Sequence, residues 1–178
     1  MLRRKTDFCN LRMGVLMIIN DNEIESLIFE KKFLPDDIFD IVEDEPKYRI
    51  KRGHKELSFE LNGEKGNKFG LILRISKINK LDFSWILTYK KPENYSEFIL
   101  RRYNGKSHEH ENRIEREIFY NYHIHYATQK YQEEGFKEEG YAIETDRYAN
   151  YIDALHCLLN DCNCEKIGNS SLIGVKYD

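Results

Sequence analysis

The sequence predicts an α+β domain built on a mostly antiparallel sheet of about five strands, with a short N-terminal helix and a C-terminal helix packed on one face. Between Pro46 and Ala127, short apolar or alternating runs are separated by turn residues and carry no helical period, the texture of a meander rather than of a parallel βαβ sheet. Helical spacing of apolar residues occurs only near the two ends. At 178 residues, with 40% hydrophobic and 13% aromatic content, the chain can bury one core and is too rich in core formers to remain disordered.

Met-Leu-Arg-Arg-Lys followed by the apolar stretch through Ile19 mimics a signal peptide, but the stretch lacks a small-residue cleavage site and is too short to span a bilayer. Residues 1–19 therefore read as disordered or as an over-long start, with Met13 or Met17 as the natural beginning, and no membrane role is expected. The domain proper is 20–164. Asp21 is placed as N-cap of a helix whose stripe is Ile24, Leu27, Ile28 and Lys31, ending before Pro35. A second helical turn, Asp37 to Val42, follows.

Strands are expected at Leu57–Leu61, Phe69–Ser76, Phe83–Tyr89, Glu97–Tyr103 and Phe119–Ala127, the first two joined through Asn62-Gly63 and Gly66-Asn67. Tyr131–Asp146 reads as irregular, with a short strand near Tyr141–Ile143. Asn150 and Asp153 resemble a capping box ahead of a helix striped by Tyr151, Ala154, Leu155, Leu158 and Leu159. Residues 165–178 are a tail, with an edge strand at Leu172–Val175.

Cys9, Cys157, Cys162 and Cys164 form neither a disulfide framework nor a paired Cys-x-x-Cys zinc motif, which fits a reducing cytoplasm. Charge is unevenly placed. Ten acids face Lys31 and Lys32 between Asn20 and Pro46, a balance of −8, whereas twelve Lys and Arg face four acids from Lys47 to Lys91, a balance of +8. The basic stretch suits RNA or another phosphate-bearing ligand, the acidic one a basic protein partner; mutual docking or plain solvation explains both equally well.

Chemical potential concentrates in four of the six histidines: His108-Glu-His110-Glu-Asn112 and His123-Ile-His125. Strand alternation puts His123 and His125 on one face and Tyr122, Ile124 and Tyr126 on the other, toward the core. Such a pair serves as general base and general acid on a phosphodiester, with His108 or His110 assisting and Arg102 holding phosphate. The same imidazoles, with His110, also suit a zinc, manganese, iron or nickel ion, so a cofactor is left open. A solvated sheet face and a polar loop tip are the plain alternatives. Parity leaves undecided whether Arg101 or Arg102 faces the histidines: Phe98 and Leu100 share a side with Arg102, Ile99 with Arg101. Trp85, Tyr89, Tyr95, Tyr103, Tyr120, Tyr122 and Tyr126 read mainly as packing residues, with base stacking as the alternative, and Asp146-Arg147-Tyr148 as a helix-entry ion pair.

These motifs together resemble a family of small uncharacterised prokaryotic proteins, a domain of unknown function. The matching elements are Asn22–Phe33, Arg101 or Arg102, Asn104-Gly105, His110-Glu-Asn112, His123-Ile-His125 and Asp161-Cys162-Asn163, within about Asn20 to Cys164. His108 and the charge-rich insertion before His123 depart from the pattern and obscure which upstream histidine is the counterpart. The resemblance implies a similar mixed fold and a place among mobile elements or toxin and defence genes, and it carries no catalytic assignments. Three functions follow as expectations: a small ribonuclease-like or phosphodiesterase enzyme, a non-enzymatic inhibitor or antitoxin-like binding module using the acidic segment, and a metal-dependent hydrolase.

Overall fold

The computed structural model describes residues 18–44, 47–51, 53–93 and 96–166. Cys9, the alternative starts Met13 and Met17, Tyr95 and the expected strand Leu172–Val175 lie outside them. The first helix, α1 (Asp21–Phe29), buries Ile24, Leu27 and Ile28. Its N-cap is Asn20 rather than Asp21: the Asn20 Oδ1 accepts from the Glu23 N–H at 2.9 Å. The Asp21 carboxylate instead accepts from the Gln129 N–H at 2.8 Å. The helix closes at Glu30, so Lys31 lies beyond its stripe, and the chain enters β1 (Lys32–Leu34) and then α2 (Ile38–Glu43).

A meander follows: β2 (Arg49–Lys51), β3 (His54–Gly63), β4 (Lys68–Ser76), β5 (Phe83–Lys90) and β6 (Glu97–Asn104). After it come a two-stranded hairpin, β7 (His110–Asn112) with β8 (Glu117–Phe119), then β9 (His123–Tyr126), α3 (Gln129–Glu133), β10 (Tyr141–Glu144), α4 (Tyr151–Asp161) and β11 (Cys164–Lys166). The main sheet has nine strands rather than about five, in the order β10-β9-β6-β5-β4-β3-β1-β11, with β2 also on β3. All its pairs are antiparallel except β1 with β11. The additional strands β1, β2 and β11 are three-residue segments, too short to show alternation, and the expected run Phe119–Ala127 divides into β8 and β9.

The core lies between the sheet and its two longer helices. Phe69, Leu71, Leu73, Phe83, Trp85, Leu87 and Tyr103 share one core with Ala154, Leu155 and Leu158 of α4, and the Trp85 indole N–H donates to the Tyr151 carbonyl at 2.7 Å. Trp85, Tyr89, Tyr103 and Tyr122 are thus packing residues, whereas Tyr120 is exposed. Asn150 caps α4 by accepting from Ile152 and Asp153 N–H groups, and Arg147 makes a two-point ion pair with Asp161 at the far end of that helix.

One irregularity decides what the opposite face carries. Leu87 pairs with Arg101 but Thr88 pairs with Ile99, so Leu100 is an extra residue bulged into β6. The bulge breaks the parity expected from the sequence. Phe98 and Leu100 stay in the core while Arg102 and Asn104 turn to the other side. No helix among the described residues is long and apolar enough to cross a membrane.

Candidate metal centre

Register places the functional side chains. In the β6–β9 pair, Asn104 is opposite His123 and Arg102 opposite His125, while Tyr103 and Arg101 oppose Ile124 and Tyr126. Arg102 is therefore the arginine on the histidine face, and the Arg101 guanidinium packs over the Tyr126 ring at 4.0 Å. As expected, Ile124 and Tyr122 enter the core. The histidine face is not solvated: His123 is 0% and His125 6% exposed, because the β7–β8 hairpin folds over it. Nor is His108–Asn112 a polar loop tip, since His110 and Asn112 belong to β7 and Asn112 is buried.

All four histidines meet beneath that hairpin. The His110 ring lies 5.2 Å from His123 and 4.7 Å from His125 between centroids, those two are 4.9 Å apart, and exposed His108 meets His123 edge-on at 5.6 Å. One ring nitrogen from each of His110, His123 and His125 lies within 4.8 Å of the others. His108 is adjacent but outside this trio, its Nδ1 3.2 Å from the Ser107 hydroxyl.

The surrounding backbone fixes the tautomers. His123 Nδ1 is 2.7 Å from the Asn121 carbonyl and His125 Nδ1 is 2.9 Å from the Glu139 carbonyl. A carbonyl can only accept, so both rings carry their proton on Nδ1 and present a lone pair on Nε2. Both Nε2 atoms converge on one atom, Asn104 Nδ2, at 3.2 and 3.1 Å, whose two N–H groups supply one donor to each. The Asn104 Oδ1 in turn accepts from the Ser84 hydroxyl at 2.6 Å.

His110 is held in the same manner from above. The Asn112 amide pairs with both backbone groups of Ala142 on β10, accepting from its N–H and donating to its carbonyl at 2.8 Å each. Its Oδ1, oriented by that pairing, also accepts from His110 Nε2 at 3.0 Å. Burial lowers the pKa of His123 to about 4, against the opposing hydrogen bond to Asn121, and holds His125 well below its ordinary value. Burial also lowers His110, against the Asn112 hydrogen bond. Neutral rings whose Nε2 lone pairs point inward, as in His123 and His125, can act as hydrogen-bond acceptors, as they do here toward Asn104, or as metal ligands.

Beside the trio opens a cleft of about 390 Å³, walled by Arg102, Arg113, Lys137, Glu109 and Glu139 and floored by Gly140. A Cβ at Gly140 would stand 2.4 Å from the Tyr131 ring, so only glycine lets this wall close on α3. Arg102 is ion-paired with Glu139, which is 3% exposed, and the Arg102 Nε has no hydrogen-bond partner among the described residues. Arg102 is thus both a wall of the cleft and half of a buried pair, its partner Glu139 lying in the loop ahead of β10.

Every histidine and the arginine singled out in the sequence comes together here. Asn104, Ser84, Asn112 and the Glu139 carbonyl complete the site: Ser84 and Glu139 carry no motif, while Asn104 and Asn112 stand in the Asn-Gly and His-x-Asn elements without a role assigned to them there. Asn104 reads as half of an Asn-Gly turn, and only its two-residue offset from Arg102 and its register against His123 reveal it. No family model matches the chain, and no curated protein and no solved structure matches it significantly.

Proposed function

We propose that the protein is a metal-dependent hydrolase of phosphate esters, with His110, His123 and His125 holding one divalent ion at the inner end of the cleft. The observation that carries this reading is the convergence of three imidazole nitrogens, two of them preset by carbonyls that hold the Nδ1 proton and aim Nε2 inward. Carbonyl-fixed imidazoles are the ordinary outer shell of histidine metal sites. Three protein nitrogens leave a position open toward the cleft for water or substrate. A bound ion would supply water activation and polarisation of a phosphoryl oxygen. Arg113 and Lys137 on the cleft wall bind the phosphate, Glu109 at its mouth accepts the proton of the attacking water, and exposed His108 returns a proton to the departing alkoxide as the phosphorus–oxygen bond breaks.

The test is metal analysis of purified, untagged protein alongside a His123→Ala/His125→Ala double variant. About one equivalent of zinc, manganese, iron or nickel is expected in the wild type and none in the variant. Hydrolysis of bis(p-nitrophenyl) phosphate and of an RNA oligonucleotide should follow the metal. Wild-type protein that takes up no ion, even after incubation with each of the four, defeats the proposal.

A further inference from the structure

Building on the metal-centre reading, we infer that Asn104 is a fourth protein ligand, which serves as hydrogen-bond donor to the empty site and, by rotation of its amide, as oxygen donor to the filled one. Its Nδ2 fills the space between His123 and His125, at 3.2 and 3.1 Å from their Nε2 atoms. Two ligand atoms about 2.0–2.1 Å from an ion are separated by roughly 3.3–3.4 Å at a tetrahedral angle and somewhat less at an octahedral one, and with Asn104 as fourth protein ligand the ion would be five- or six-coordinate, which keeps the position toward the cleft open. The tip of the Asn104 side chain therefore already stands at ligand-to-ligand separation from both imidazoles.

A half-turn about Cβ–Cγ exchanges Oδ1 and Nδ2 in place, since the two ends of an amide have nearly the same shape. The exchange turns an NH₂ that satisfies two lone pairs into a carbonyl that points with them at a cation. Its cost would be prohibitive if the outer end of the amide lost its partner, but that partner is the Ser84 hydroxyl, at 2.6 Å. A hydroxyl both donates and accepts, so Ser84 donates to Oδ1 in the empty state and accepts from Nδ2 in the filled one. A carbonyl at this position would permit only one of the two orientations. Asn104 is 2% exposed, so water is poorly placed to substitute in either state. The arrangement explains how the buried His123 and His125 avoid unsatisfied Nε2 lone pairs when no ion is bound.

Zinc affinity measured by competition with a chromophoric chelator, and the visible spectrum of the cobalt-loaded protein, test this on the full chain. Asn104→Ala is expected to weaken zinc binding at least about tenfold and to alter the cobalt bands, as loss of a ligand should. Asn104→Asp keeps an oxygen at the same place and adds charge, so it should bind zinc at least as tightly as wild type. Its near-native shape also serves where the alanine variant fails to fold. Ser84→Ala should bind several-fold more weakly without changing the cobalt bands. Asn104→Ala with unchanged or tighter zinc affinity would make the amide a mere placeholder and overturn the inference while leaving the three-histidine site standing. Asn104→Asp that folds but loses zinc would overturn it equally. Failure of the wild type to bind zinc or cobalt would overturn both.

Discussion

At the level of single residues, the sequence makes the histidines conspicuous but hides the groups that hold them. Alternation along a strand is a local rule, and it places His123 and His125 together without any knowledge of the fold. The Arg101 or Arg102 ambiguity is not local, because a bulge at Leu100 inverts the parity between Phe98 and Arg102. Arg102 itself tests how the cleft is supported. Replacing it with Met leaves the Glu139 carboxylate buried without its cation, and should lower stability by about 2–4 kcal/mol in denaturant titration, toward the lower end because the guanidinium is 22% exposed. Arg102→Met together with Glu139→Gln should recover most of that loss. Independent, additive losses would mean that the two side chains do not act as a pair.

At the level of elements, short pieces are fastened by side chains more than by their own propensity. Lys32 is 0% exposed, yet its ammonium has three acceptors: the Ile28 and Glu30 carbonyls at the end of α1 and the Cys162 carbonyl at the end of α4, at 2.8, 2.7 and 3.0 Å. It also lies over the Phe69 ring at 4.6 Å. One cation thus answers the unpaired carbonyls and negative poles of two helix ends. Burial still lowers its pKa, since three carbonyls replace water incompletely. Lys32→Met conserves the stem and removes the donors, and should cost about 2–3 kcal/mol in thermal or denaturant unfolding. A neutral result would show that the carbonyls find other donors.

Asp161 is the corresponding anchor of α4. Burial raises its pKa, but the Arg147 and Tyr103 hydrogen bonds prevail and hold it below the ordinary carboxylate value. A carboxyl depressed in the folded state binds protons more readily when unfolded. Its stabilisation is therefore complete above the unfolded pKa, near 4, and is lost as pH falls through the lower, folded one. Unfolding midpoints of wild type and Asp161→Asn should differ at pH 6 and converge toward pH 3; a constant difference would exclude this linkage.

At the level of the whole molecule, the central strands are legible because each is long enough to show its period, and the rim is not. β1, β2 and β11 have three residues apiece, and the places of β1 and β11 depend on partners distant in the chain. The same holds at the opposite rim, where the outward N–H and C=O of Ala142 on β10 are occupied by the Asn112 side-chain amide. An uncovered pair there would invite another strand. Asn112→Ala should therefore both loosen the β7–β8 hairpin and increase light scattering on mild heating, whereas unchanged scattering would show that the rim is protected by other means.

The parallel contact of β1 with β11 also has a consequence in time. During synthesis, residues 32–34 leave the ribosome long before residues 162–166, which supply both their second neighbouring strand and the last acceptor of the Lys32 ammonium. The meander can pair as it emerges, but the amino-terminal rim waits for nearly the whole described chain to be translated. A nascent polypeptide halted near residue 150 should consequently protect β3–β6 from proteolysis while leaving residues 21–34 open to cleavage, and read-through past residue 166 should close that window.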